Sequence, residues 1–271
     1  MSSERDPVII GDYQILRALD PAGGLGRRAA IAVKRRGERS GKLHVVKRVK
    51  QGQRRAKDIR RELAAVARLT HTAAAPVVEW FDVGDELVVV FEHLDGLSLE
   101  QVQGYLAQEG ERLSDPAIFY IGAQLMGALA DAHRLGLYHG HLGPDLIQLS
   151  WEGQPRLLGL GLPSIFDRIG RSDYAHSFRP PEHGGREEPG AAQDVFSAAA
   201  ILWSLITQRR PPPDGRFKKL SAQHARLPAE VADGLDRALT PMAHARKITC
   251  SELGQMFARQ PNADDPVELR W

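Results

Sequence analysis

The stretch DVFSAAAILWSLITQ, residues 194–208, limits the fold of this chain more than any other segment. A surface helix needs one apolar stripe, but this one is apolar on nearly every side, so it predicts a helix buried in the middle of a domain. It is too short to cross a bilayer, which takes about 20 apolar residues. The rest of the 271-residue chain must therefore wrap around it, as one large domain or two lobes. With 42% hydrophobic and 26% charged residues, the balance is that of an ordinary globular protein. A single cysteine, Cys250, rules out a disulfide or thiolate metal cluster within the chain and fits a cytoplasmic setting. The opening residues MSSERDPVII lack the basic and apolar regions of a signal peptide.

The first third reads as strands. YQILRAL (13–19), AAIAVKR (29–35), LHVVKRV (43–49), VVEWFDV (77–83) and LVVVFE (87–92) are β-rich and bounded by turn or charged residues. One helix interrupts them from about Lys57 to Leu69, with Leu63, Val66, Ala67 and Leu69 roughly on one face. Beyond residue 97 the pattern turns helical. Ser114 is a good N-cap, Pro116 sits in the first turn, and Ile118, Ile121, Leu125, Leu129 and Ala132 follow at helical spacing. The proline-rich stretch 209–229 predicts irregular chain, and two helices near 228–239 and 249–259 close the sequence. The expected class is α+β: a small β-rich lobe with one main helix, then a larger helical lobe.

LDPAGGLGRR (19–28), HVVK (44–47), YHGHLGPDLIQL (138–149), LLGLGL (157–162), FRPPEH (178–183) and KITCSEL (247–253) follow one another in an order and spacing that resemble the eukaryotic-type Ser/Thr protein kinases, including their bacterial members, over about residues 13–259. LDPAGGLGRR (19–28) resembles a degraded glycine-rich loop, with Gly23, Gly24 and Gly26 near the phosphates, Pro21 at the first glycine's place and Arg28 where an apolar residue covers the adenine. HVVK (44–47) resembles the strand that carries the phosphate-gripping lysine, here Lys47. Val45 stands beside it over the adenine, and Glu62 sits where the family pairs that lysine with a glutamate. Phe91 matches the residue at the back of the pocket, and the backbone of Glu92 to Leu94 the hinge. The resemblance divides the chain into an N-terminal extension (1–12), an N-lobe (13–92), a hinge (93–97), a C-lobe (98–260) and a C-terminal tail (261–271).

YHGHLGPDLIQL, residues 138–149, resembles the catalytic loop, with its chemistry replaced. His139 matches a structural histidine. Gly140 replaces an arginine, His141 the catalytic aspartate, Gly143 a lysine and Leu146 a metal-binding asparagine. In LLGLGL (157–162), Gly159 replaces a metal-binding aspartate. Residues matching the family's scaffold are kept: Glu182 in FRPPEH, Asp194 at the head of the apolar helix, and Lys247 in KITCSEL where an arginine normally bridges to that glutamate. Lysine cannot reproduce the two-pronged grip of arginine, so a weaker bridge is expected. Phosphoryl transfer in this family needs a proton acceptor and oxygen ligands for magnesium, and leucine and glycine side chains offer no oxygen to a hard cation. His139 and His141 lack a third ligand for zinc.

The implied reading is a pseudokinase: no catalytic residue, no metal, no required cofactor, and ATP, if bound, held without magnesium. The alternatives are a weakly active or atypical Ser/Thr kinase, or a nucleotide sensor using Lys47 and Glu62. Residues 1–92 hold 18 Lys and Arg against 12 Asp and Glu, peaking at Arg54, Arg55, Lys57, Arg60 and Arg61. That surface suits an acidic protein partner, such as an active kinase. With no aromatic residues interleaved, nucleic acid is not expected, and neither is a membrane span.

Overall fold

The computed structural model describes residues 7–19, 28–50, 53–165, 173–182, 190–222, 226–261, 263 and 266, without the side chains of 53–56, 173 and 175. Its N-lobe is a six-stranded antiparallel sheet with β1 (Ile9–Ile10), β2 (Tyr13–Ala18), β3 (Ala29–Lys34), β4 (Leu43–Lys50), β5 (Val77–Val83) and β6 (Glu86–Glu92), in the order β1-β2-β3-β4-β6-β5. The helix α1 (Gln53–Val66) joins β4 to β5. β1 lies ahead of residue 13, where the motifs start the lobe.

Strand alternation gives the sheet two apolar faces. Val45, Val49, Val89 and Phe91 face inward with Ile59 and Leu63 of α1 and belong to the main core. Val46, Val88 and Val90 face outward and pack under Tyr13, Ile15 and Phe81. Because both faces are covered, the β6 sequence LVVVF reads as a continuous apolar run rather than an alternating one.

The C-lobe begins at β7 (Leu97–Ser98) and α2 (Leu99–Glu109), whose start is fixed by a capping box between Ser98 and Gln101. Gly96 before it is obligatory: at φ 115° it passes so close to β8 that an added Cβ would lie 1.9 Å from the Leu149 carbonyl oxygen. Helix α3 (Asp115–Arg134) starts where the sequence predicts, with Ser114 Oγ accepting from the Ala117 N–H at 3.3 Å. A short sheet of β7, β8 (Ile147–Leu149) and β9 (Pro155–Leu157) underlies the cleft. After the one-turn α4 (Asp173–His176) come α5 (Ala191–Thr207), α6 (Ala229–Ala238) and α7 (Cys250–Ala258).

The apolar stretch that opened the sequence reading is α5, and every residue from Gln193 to Leu205 is buried. Each fully buried leucine, isoleucine or phenylalanine there contributes about 1.5–3 kcal/mol, so Leu202→Ala, at a site with no exposure, costs about 2–5 kcal/mol. α3 packs against both α5 and α7, with the Phe119 and Phe257 rings 6.3 Å apart. Among the described residues no helix is long and apolar enough to cross a membrane.

Candidate functional site

The cleft between the lobes is roofed by the inner face of the sheet. Val45 pairs with Phe91, and Lys47 with Val89, so all four side chains share that face. Phe91 is almost fully buried at the back, and Lys47 is only 3% exposed. The cross-strand partner of Val45 on β3 is Ile31, which makes Ile31 the apolar residue beside it. Arg28, expected in that role, stands three positions earlier at φ 64° and ion-pairs with Glu86, which also receives Arg48 Nε at 2.6 Å. Arg48 and Glu86 belong to the outward-facing register of Val46 and Val88, so Arg28 leaves the cleft. Counting from the glycines points to residue 28 for this role; the strand register gives it to Ile31. Gly23, Gly24 and Gly26 lie outside the described residues, as does Pro21.

At the hinge, Glu92 pairs with His44 on the outer register, and its carboxylate receives Arg156 Nη2 from β9 at 3.3 Å. Its side chain thus ties the sheet to the C-lobe, and its own N–H donates to the Pro76 carbonyl at 3.4 Å. Leu94 is partly buried against the main core.

The catalytic-loop segment is held from below by Asp194. Its Oδ2 accepts from the His139 backbone N–H at 2.8 Å and lies 3.0 Å from His133 Nε2, while Oδ1 accepts from the Gly140 N–H at 2.8 Å. A carboxylate 1% exposed and bonded three times is a rigid anchor. His139 Nε2 lies 3.0 Å from the Leu158 carbonyl oxygen, to which it donates, so Nδ1 is the acceptor for the His141 N–H at 3.3 Å. Both ring nitrogens of His139 are therefore occupied, which removes it as a metal ligand. Among the described residues no three His, Cys, Asp or Glu side chains gather as a metal site.

Leu146 has no exposed surface and belongs to the main core with Leu149, Leu157 and Leu158. Its N–H donates to the Gly143 carbonyl at 3.0 Å, and its own carbonyl accepts from the Leu158 N–H at 2.8 Å. Gly159 opens the following turn at φ 78°, closed by a Leu162 N–H to Gly159 carbonyl bond of 3.0 Å. Magnesium does not fit this donor set: neither family ligand position carries a side-chain oxygen.

Glu62 does not pair with Lys47. Its carboxylate accepts from Ser164 Oγ at 2.6 Å and the Ser164 N–H at 3.2 Å. Burial raises its pKa above the usual carboxylate range, against the lowering pull of those two bonds. The reason is positional. The turn after Gly159 packs on α1 so closely that a Cβ on Gly161, at φ 76°, would fall 2.7 Å from Val66 Cγ2. That contact brings Ser164 under Glu62, one helical turn before Val66.

Lys247 is likewise displaced from its expected role. It is exposed, and Arg246, one residue earlier, holds Glu182 at 2.9 Å with a side chain that has no exposed surface. Arg246 also donates to the carbonyls of Ala192, Thr240 and Pro241 and lies 4.8 Å from the centre of the Phe196 ring. Burial pulls its pKa down, and the Glu182 carboxylate pushes it back up. Sequence reasoning chose the lysine by its distance from Thr249. The available signal was that only arginine has enough donors to satisfy a buried site of that kind. His133 and Ile31 were missed for the same reason: each is set by a register that motif spacing does not contain.

A protein kinase domain model matches residues 24–258. Two Streptomyces coelicolor proteins are among the relatives: a probable serine/threonine-protein kinase, 24% identical over 67% of this chain and 28% of its own length, and the serine/threonine-protein kinase PkaA, 31% identical over 63% and 32%. The chain thus spans about a third of the length of these relatives. The crystal structure of the Mycobacterium tuberculosis PknI kinase domain superposes with a TM-score of 0.72 at 20% identity, covering 96% of this chain and all of that one. A likeness at that identity speaks for the fold, and the family model speaks for descent: the chain belongs to the protein kinase family.

Proposed function

We propose that this protein is a pseudokinase: a cytoplasmic kinase-fold protein that binds other proteins, as a scaffold or allosteric regulator, and does not transfer phosphate. The observation that carries the reading is Leu146, fully buried in the core at one magnesium-ligand position, together with Gly159 at the other. With His141 at the position of the proton-accepting aspartate, neither charge neutralisation nor the usual base is supplied by these side chains. Removing one charge-stabilising group typically costs about 100–1,000-fold in rate.

Lys47, buried beside Val45 on the cleft face, supports a second, compatible reading: weak nucleotide binding without magnesium. Since Glu62 is engaged by Ser164, such binding would not draw on a Lys47–Glu62 pair to position α1. The partner we favour is an acidic protein, such as an active kinase. On α1, exposed Lys57 is available to it, whereas Arg60 already holds both carboxylate oxygens of Asp82 at 2.7 Å and Arg61 lies 3.9 Å from Asp58. The side chains of Arg54 and Arg55 lie outside the described set.

The test is label transfer from γ-labelled ATP, with magnesium or manganese, to the protein itself and to general substrates. No incorporation is expected. Incorporation that disappears in Lys47→Ala would establish a working kinase and end the pseudokinase reading.

A further inference from the structure

The C-lobe carries a second concave site, away from the cleft. A cavity of about 560 Å³ opens between α2, α4 and the C-terminal end of α5. Leu106, Ala107, Leu113 and Leu205 give it apolar walls. Its polar groups are linked: Tyr174 Oη donates to Gln103 Oε1 at 3.2 Å, and Gln103 Nε2 donates to Ser204 Oγ at 3.1 Å. Arg209 and Arg210 stand at the rim, Arg210 stacked 5.6 Å from the Tyr174 ring centre.

From that rim runs RRPPPDGRFKK, residues 209–219, with five cations and the single acid Asp214. The segment is irregular in conformation yet firmly anchored. Phe217 packs edge-on against Trp203 at 5.0 Å and Phe196 at 5.7 Å, and Gly215 is buried against Pro181. Anchoring turns Arg209, Arg210, Arg216 and Lys218 outward, all exposed, and none has a carboxylate within ion-pair distance among the described residues. Among the described residues these charges have no ion-pair partner, unlike Arg60 on α1. Glu100 and Glu111 also line the cavity and disfavour an acidic group inside it. An apolar anchor within and acidic residues along the strip suit this distribution of charge.

We infer that this face docks an acidic segment of a partner protein, with one bulky apolar side chain in the cavity and its carboxylates along residues 209–218. The inference rests on the binding role proposed above and deepens it by placing a docking surface on the C-lobe and giving the partner an apolar anchor.

The test is fluorescence anisotropy with a short labelled peptide of glutamates around one phenylalanine. Binding is expected, weakening as salt rises and at least about tenfold weaker when alanine replaces the phenylalanine. Arg209→Glu with Arg210→Glu should weaken it about tenfold. Gly104→Trp should too, by filling the cavity; a Cβ at Gly104 meets nothing within 4 Å, so the new side chain starts in open space, and an unchanged thermal melt checks that the fold is kept. The docking site is overturned if the peptide does not bind, if a lysine version binds equally, or if both variants bind like the parent. Binding to phosphatidylserine vesicles in place of the peptide overturns it as well. Lys47-dependent phosphate transfer in the same preparation would refute the binding-only function while leaving the docking site standing. Failure to bind peptide without transfer removes the docking site alone.

Discussion

Replacing Arg246 with alanine tests the register correction at the base of the C-lobe. The guanidinium has no exposed surface, and its bonds reach Glu182 and the carbonyls of Ala192, Thr240 and Pro241. Truncation leaves the Glu182 carboxylate, itself only 17% exposed, without its cation and strands three carbonyls. Removing one partner of a buried pair costs about 3–5 kcal/mol, and for a chain of this size each kcal/mol moves Tm by about 2–4 °C. The expected fall is about 6–20 °C in a thermal melt followed by circular dichroism. Arg246→Lys should recover little of it, because three donors on a point charge cannot serve acceptors arranged around a planar fork. Lys247→Ala is the control: its side chain is exposed, so the change should stay within about 0.5 kcal/mol, or about 2 °C. If Lys247→Ala destabilises as much as Arg246→Ala, or Arg246→Ala costs under 1 °C, the assignment of the Glu182 partner is wrong.

Glu62→Gln should leave Tm at pH 7 unchanged or higher, since glutamine keeps an acceptor for Ser164 and loses the cost of burying a charge; a fall of several degrees would indicate a cationic partner. Because the folded pKa of Glu62 is raised, its ionised form opposes folding above that pKa, so any advantage of Glu62→Gln should shrink as pH falls toward it. Melts at pH 7 and pH 5 decide this. ATP should raise Tm by the same small amount with and without magnesium, and stabilisation seen only with magnesium would reveal metal ligands beyond positions 146 and 159. The triple change His141→Asp, Leu146→Asn and Gly159→Asp should lower Tm and restore no label transfer, because it buries an amide at a site with no exposure and places a side chain at φ 78°.

What could be read directly were features whose cause is local. The apolar run in α5, the Ser114 cap and the strands of β2 to β6 depend on periodicity and on side chains a few residues apart, and those are visible in one sequence. Arg28, Lys247 and the Lys47–Glu62 pair depended on which residues meet across strands or between segments far apart in the chain. A one-residue shift in register exchanges a buried arginine for an exposed lysine. Glu62 shows the same limit: its partner lies 102 residues away, brought there by the packing of Gly161 against Val66. Motif spacing carries the family frame and says nothing of such contacts.

The replacements at the metal positions also act on stability. A working magnesium site keeps oxygen-bearing side chains and water at the floor of the cleft. Here Leu146 joins Leu149, Leu157, Leu158 and Leu160 in a continuous apolar layer, and both of its backbone polar groups are paired. The buried leucine side chain adds about 1.5–3 kcal/mol that an asparagine would not. Asp194 meanwhile secures His139 and Gly140 from beneath, and Glu62 joins α1 to Ser164, so the loop and the helix are each held by contacts internal to the chain.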